Sequence, residues 1–104
     1  MKKDLTSEAV SRFYDAVLCL DTPEECRMFF ADICTPNELL SISQRYHVAA
    51  LLHEGKTYKE ISTITQASTT TISRVNRLLQ NSQSGIDMTF RRMDQRKREE
   101  HNDD

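Results

Sequence analysis

The sequence predicts an all-α fold. Three observations carry this. No run alternates apolar and polar residues as a half-buried strand does. Only two glycines and two prolines occur in 104 residues. Both prolines stand in the same local pattern, Thr22-Pro23-Glu24-Glu25 and Thr35-Pro36-Asn37-Glu38. That pattern is a helix start: Thr is the cap, Pro occupies the first helical position, and Glu at the third closes a capping box.

The elements follow in order. A first helix is expected from about Ser7 to Leu20, with Ala9, Phe13, Ala16, Val17 and Leu20 on its apolar side. The first Thr-Pro start opens a second helix carrying Met28, Phe29, Phe30 and Ile33. The second opens a long third helix through about Glu54, stopped by Gly55. Leu39, Ile42, Tyr46, Ala49 and Leu52 line one side of it, and Leu40, Val48 and Leu51 widen the apolar arc. The first two helices add Phe13, Tyr14, Phe29 and Phe30. So short a chain cannot bury all of this within one compact monomer, so a dimer packed across the N-terminal helices is expected. The alternative is a monomeric bundle that buries the same residues internally.

Residues 57–79 read as two short helices joined by a tight turn. Thr57 and Glu60 are spaced as a capping box, and Ile61 and Ile64 are expected on one face. Ser68 is an N-cap for the second helix. Ile72, Val75 and Leu79 give that helix a narrow apolar stripe. Ala67, at the turn, is small where two helices must approach. Thr69, Thr70, Ser73, Asn76 and Arg77 remain outward, donors and acceptors of a size suited to base edges and phosphates. This is the pattern of a helix-turn-helix, whose second helix enters the major groove of DNA. The alternative is an amphipathic pair with a solvated face. Three consecutive threonines, Thr69 to Thr71, argue against it, because an indifferent face more often carries Glu, Lys or Gln. Gln66 stands where such turns need a left-handed residue. Its cost of about 1 kcal/mol predicts a looser turn or a different backbone conformation.

Net charge is −2, but it is unevenly spread. Residues 1–55 carry five basic and nine acidic groups, a balance of −4. Residues 56–79 carry Lys56, Lys59, Arg74 and Arg77 against Glu60 alone, a balance of +3. Residues 80–104 carry five basic and six acidic groups, a balance of −1. Local potential rather than overall pI steers phosphate binding, and the positive charge lies on the motif.

After Leu79, Asn81-Ser82-Gln83-Ser84-Gly85 is a linker by composition. Ile86, Phe90 and Met93 then recur at helical spacing. Residues 1–95 are expected to form a single domain, and 96–104 a charged, disordered tail. Cys19, Cys26 and Cys34 are odd in number and form no CxxC, so neither a disulfide framework nor a zinc site is implied. They are expected as buried, reduced thiols. His47 and His53 are six apart and do not share a helix face. No nucleophile–base pair, phosphate-cradling glycine loop or supported acid pair occurs. The expectation is a protein with no catalytic residues, no metal and no cofactor. No membrane-length apolar run or signal peptide is read, which predicts a cytoplasmic protein.

The chain resembles the Trp-repressor superfamily, and specifically the Trp-repressor-like (YerC/YecD) bacterial proteins. The resemblance runs to about Met93. Its most specific pieces are Thr35-Pro36-x-Glu38, Tyr58-x-Glu60-Ile61 and Ala67-Ser68-Thr69-x-Thr71-Ile72-Ser73-Arg74-Val75-Asn76-Arg77. It implies an all-helical, intertwined homodimer that binds operator DNA and represses transcription. In the Trp repressor two arginines sandwich the tryptophan corepressor, and the positions that resemble them here are Arg45 and Arg74. The family repressor has glycine after the second arginine, leaving room for the indole. Here that position is Val75, and the nearby pocket serine resembles Leu78. Ser62, Gln66 and Thr70 stand where relatives tend to have Ala, Gly and Ala.

The expectation is therefore a double-stranded-DNA-binding regulator. Its candidate DNA-binding residues are Lys56, Thr57, Tyr58, Lys59, Ser68, Thr69, Thr70, Thr71, Ser73, Arg74, Asn76 and Arg77. Thr69, Thr70 and Ser73 would meet base edges, and Lys56, Lys59, Arg74 and Arg77 phosphates. Tryptophan is not expected as effector. Two alternatives stand: a corepressor-gated repressor holding a small molecule between Arg45 and Arg74, and a helical protein-interaction module without DNA binding.

Overall fold

A computed structural model describes residues 4–102. Among them are six helices and no strand: α1 (Glu8–Val17), α2 (Pro23–Ile33), α3 (Pro36–His53), α4 (Tyr58–Thr65), α5 (Thr69–Leu79) and α6 (Gly85–Asn102). The sequence reading treats residues 1–95 as one domain. Packing divides the chain into two compact units, Met1–Leu39 and Leu40–Asp104.

In the first unit, Ser7 caps α1 by accepting the Val10 N–H at 3.3 Å. The helix ends at Val17 rather than Leu20. The N–H groups of Cys19 and Leu20 bond the carbonyls of Ala16 and Val17, three residues back, which tightens the last turn and closes it. Thr22 caps α2 as expected, accepting the Glu25 N–H at 3.1 Å. The Glu25 carboxylate reaches one residue further than a capping box requires and accepts the Asp21 N–H at 2.9 Å. At α3 the box is complete: Thr35 Oγ1 accepts from Glu38 N–H at 3.1 Å, and Glu38 Oε1 accepts from Thr35 N–H at 2.8 Å.

Phe13 stacks on Phe29 with ring centroids 5.9 Å apart, and Phe29 meets Phe30 edge-on at 5.3 Å. These contacts do not make a core. No residue of α1 or α2 is buried, and Leu18 is 82% exposed. The cysteines depart from expectation for the same reason. Cys19 and Cys26 are exposed and Cys34 is half-buried, because this unit offers no apolar interior to receive them.

The second unit holds the core: Val48, Ala49 and Leu51 of α3, Ile61 of α4, Ala67 of the turn, Ile72 and Val75 of α5, and Phe90 of α6. The expected apolar arc of α3 is thus split along its length, its C-terminal half covered while Leu40 and Ile42 stay exposed. Phe90 stacks on His53 at 4.6 Å and packs beside Tyr46 at 5.5 Å. His53 Nε2 lies 3.2 Å from Asp94 Oδ2, which ties α3 to α6. Gly55, at φ 85°, ends α3. Its N–H bonds the Leu52 carbonyl and the Lys56 N–H bonds that of Leu51, the paired bonds of a Schellman stop that needs a left-handed residue.

Ile64 is a correction. It was expected beside Ile61, which is fully buried, yet it is 52% exposed. Three residues of helix turn it about 60° away, beyond the strip by which so short a helix meets the core. α6 also runs further than expected. It continues through the charged segment to Asn102, since residues 96–101 include no glycine or proline and Arg, Lys and Glu are good helix formers. The rest of the expected tail, residues 103–104, lies outside the described residues. No helix among the described residues is long and apolar enough to cross a membrane.

Candidate nucleic-acid interface

Residues 57–79 fold as two short helices, α4 and α5, joined by a tight turn, and the caps set the geometry. Thr57 Oγ1 accepts the Glu60 N–H at 3.2 Å and starts α4. The Glu60 carboxylate makes no return bond among the described residues, so the capping box is half formed. Ser68 Oγ accepts the Thr71 N–H at 3.2 Å and donates to Thr71 Oγ1 at 3.1 Å, which starts α5. Ile72 and Val75 then face inward, fully buried and 3% exposed.

The turn between them is neither loose nor altered. Gln66 takes the left-handed conformation, φ 64° and ψ 13°, that glycine would supply. A side-chain net holds it there. Gln66 Nε2 donates to the Thr63 carbonyl, Thr65 Oγ1 accepts the Ala67 N–H, and Ser62 Oγ donates to the Ala67 carbonyl, at 3.0 to 3.1 Å. Gln44 of α3 donates through Nε2 to the Thr65 carbonyl at 3.0 Å. Gln44 was not foreseen, because a polar residue within a helix carries no sequence sign of a partner 21 residues away. The departures at Ser62 and Gln66 meet in this turn, where a hydroxyl and an amide each bond a backbone carbonyl.

Thr69, Thr70, Ser73, Arg74 and Arg77 line one open depression of about 400 Å³ on the outer side of α5. A second, of about 650 Å³, lies in the angle between α4 and the start of α5, lined by Tyr58, Lys59, Ser62, Thr63, Gln66 and Thr69. Thr69 borders both. Lys56, Lys59, Arg74 and Arg77 are exposed, and among the described residues none forms an ion pair. The four cations therefore keep their field for a ligand. Of the other expected contacts, Thr57, Ser68 and Thr71 are engaged in the caps, and Thr71 is half-buried. Asn76 Nδ2 donates to the Tyr58 hydroxyl at 3.0 Å, joining α5 to α4. Spacing alone gives no sign of that pair.

Arg45 is exposed on α3 and does not line the depression that holds Arg74. Val75 is built into the core and Leu78 is 53% exposed. No cluster of three or more His, Cys, Asp or Glu able to hold a metal occurs among the described residues.

Known proteins carry the same pattern. The sequence profile described as Trp repressor protein matches residues 8–94. The Bacillus subtilis (strain 168) protein YerC, described as uncharacterized, is 43% identical over 89 residues, covering 86% of each chain. The crystal structure of a TrpR-like protein from Eubacterium eligens superposes with a TM-score of 0.80 at 47% identity, covering 86% of this chain and 92% of that one. A Staphylococcus aureus structure, described as a candidate Trp repressor, also gives 0.80, at 44% identity, covering 86% of this chain and 90% of that one.

Proposed function

Because the chain belongs to the Trp repressor family, we propose that it is a sequence-specific DNA-binding transcriptional regulator, a repressor, acting as a homodimer. The observation that carries the reading is the outer side of α5. Short hydroxyl side chains and two arginines that form no ion pair among the described residues line one open groove there, on a helix whose opposite face is locked into the core. Hydroxyls of this length reach base edges directly or through water. The +3 balance of residues 56–79 attracts the phosphates, while the acidic remainder discourages indiscriminate binding. A dimer would set two such helices about 34 Å apart, one turn of B-DNA.

Selection of bound sequences from a random duplex pool, at about 0.15 M salt to suppress weak non-specific binding, tests this. A palindromic consensus with half-sites one helical turn apart is expected. A folded protein that enriches nothing contradicts it. Within the site, Arg77→Ala is expected to weaken binding to every sequence and to reduce the salt slope by about 1. Thr69→Ala or Thr70→Ala is expected to change base preference by about 1–3 kcal/mol at one position. Equal effects of both kinds of substitution on random DNA would sink the assignment.

Tryptophan is not the effector in this reading. Val75 stands at the position that resembles the family repressor's glycine, where its branched side chain would fill the space left for an indole, and it belongs to the buried core with Ile61 and Ile72. Calorimetric titration with tryptophan is expected to give no heat of binding.

A further inference from the structure

The Tyr58–Asn76 hydrogen bond assigns these two residues different tasks, and the assignment rests on the DNA reading above. A phenolic oxygen has one hydrogen to give and lone pairs to accept with. Asn76 occupies a lone pair by donating Nδ2–H at 3.0 Å, and the Tyr58 hydrogen has no acceptor among the described residues. The phenol is 37% exposed and borders the same depression as Lys59. We propose that Tyr58 contacts the DNA backbone, donating its hydroxyl hydrogen to a phosphodiester oxygen, and that Asn76 is a positioning residue that orients this hydroxyl rather than a reader of bases.

Asn76 is held and placed unfavourably for base reading. Bidentate recognition of adenine needs both ends of a freely turning amide, and here one of the two amide hydrogens of Asn76 is engaged by Tyr58, which holds the amide against α4. Asn76 also lies seven residues beyond Thr69, about 10 Å along α5, whereas the N-terminal part of a recognition helix meets the base edges. Tyr58 stands on the other helix, the one that crosses the backbone in this motif. A phosphate oxygen there would receive a neutral O–H beside the Lys59 ammonium. The bond also ties α5 to the first turn of α4, so the donor and the recognition helix keep a fixed relation.

The test uses the full chain and two duplexes, one carrying the selected site and one scrambled. Tyr58→Phe keeps the ring and removes only the hydroxyl. It is expected to weaken both duplexes alike, about tenfold. The slope of log affinity against log salt is expected to stay unchanged, because no cation is lost, whereas Lys59→Ala lowers it by about 1. Asn76→Ala is expected to cause a smaller, equally sequence-independent loss, and none further when Tyr58 is already Phe. Circular dichroism melts establish that each variant folds. If Asn76→Ala does not fold, Tyr58→Phe and its salt slope decide. Unchanged binding by Tyr58→Phe overturns the proposal, as do additive losses in the double variant or a base preference altered by Asn76→Ala. Wild-type protein that binds neither duplex overturns the DNA reading itself, an outcome distinct from a variant that binds as wild type does.

Discussion

Gln66 carries the only left-handed backbone outside glycine among the described residues. An L-residue there costs about 1–2 kcal/mol, against about 0.5–1 kcal/mol of extra chain entropy that glycine loses on folding. The Nε2 bond to the Thr63 carbonyl is solvent-exposed and offsets little of this. Gln66→Gly is therefore expected to raise unfolding free energy by about 0.5–1 kcal/mol in denaturant titrations; a loss would show that the amide outweighs the strain. Glu38 is a second residue whose environment is measurable. The Thr35 backbone N–H, then the Thr35 hydroxyl, hold its carboxyl below the ordinary glutamate value. A depressed folded pKa contributes stability above the unfolded value, near 4.5. That contribution fades as pH falls through the folded pKa. The Thr35 amide resonance is thus expected to titrate with a midpoint below 4.5, and Glu38→Gln is expected to abolish the step. A midpoint at or above 4.5 contradicts the bond.

At the scale of the element, α5 depends on its cap. It has 11 residues, no acidic group in its first turn and three threonines there, so intrinsic propensity does little for it. Ser68 supplies the acceptor for one orphan N–H and fixes the Thr71 hydroxyl as well. Ser68→Ala is expected to cost about 1 kcal/mol and to speed amide exchange in the first turn of α5 before the rest of the helix. Exchange that rises uniformly would show the cap to be dispensable. The prediction bears on recognition, since Thr69 and Thr70 stand in that turn. Ser68 and Thr71, which the sequence reading also places among the candidate DNA contacts, hold this cap. Thr69, Thr70, Ser73 and the two arginines line the open depression beside it.

At the scale of the whole molecule, burial among the described residues is confined to one unit. α1 and α2 together bury no residue, while Tyr14, Leu18, Met28 and Ile33 are each more than half exposed. An isolated helix pair in that state does not hold its fold in water. A second copy covering these faces is the dimer proposed above. Sedimentation equilibrium is expected to give a dimer, and Leu18→Glu, at the most exposed of the described large apolar positions, to shift it toward monomer and to weaken operator binding with it. A wild-type monomer that remains fully helical would contradict the dimer.

Sequence by itself determined the helices, their starts and the motif. Caps, prolines and apolar periodicity act within a turn or two, and Thr22, Thr35, Thr57 and Ser68 each cap where their local pattern places them. The stop at Gly55 and the inward stripe of Ile72 and Val75 were legible for the same reason. Only the tertiary structure decided what depends on partners distant in the chain. It committed Asn76 to Tyr58 across 18 residues and Gln44 to Thr65 across 21. It left Ile64 outside a core that Ile61 enters, and it denied the cysteines an interior. Periodicity says which face of a helix is apolar, but burial requires something to cover that face, and coverage is set by packing between elements rather than by the helix itself.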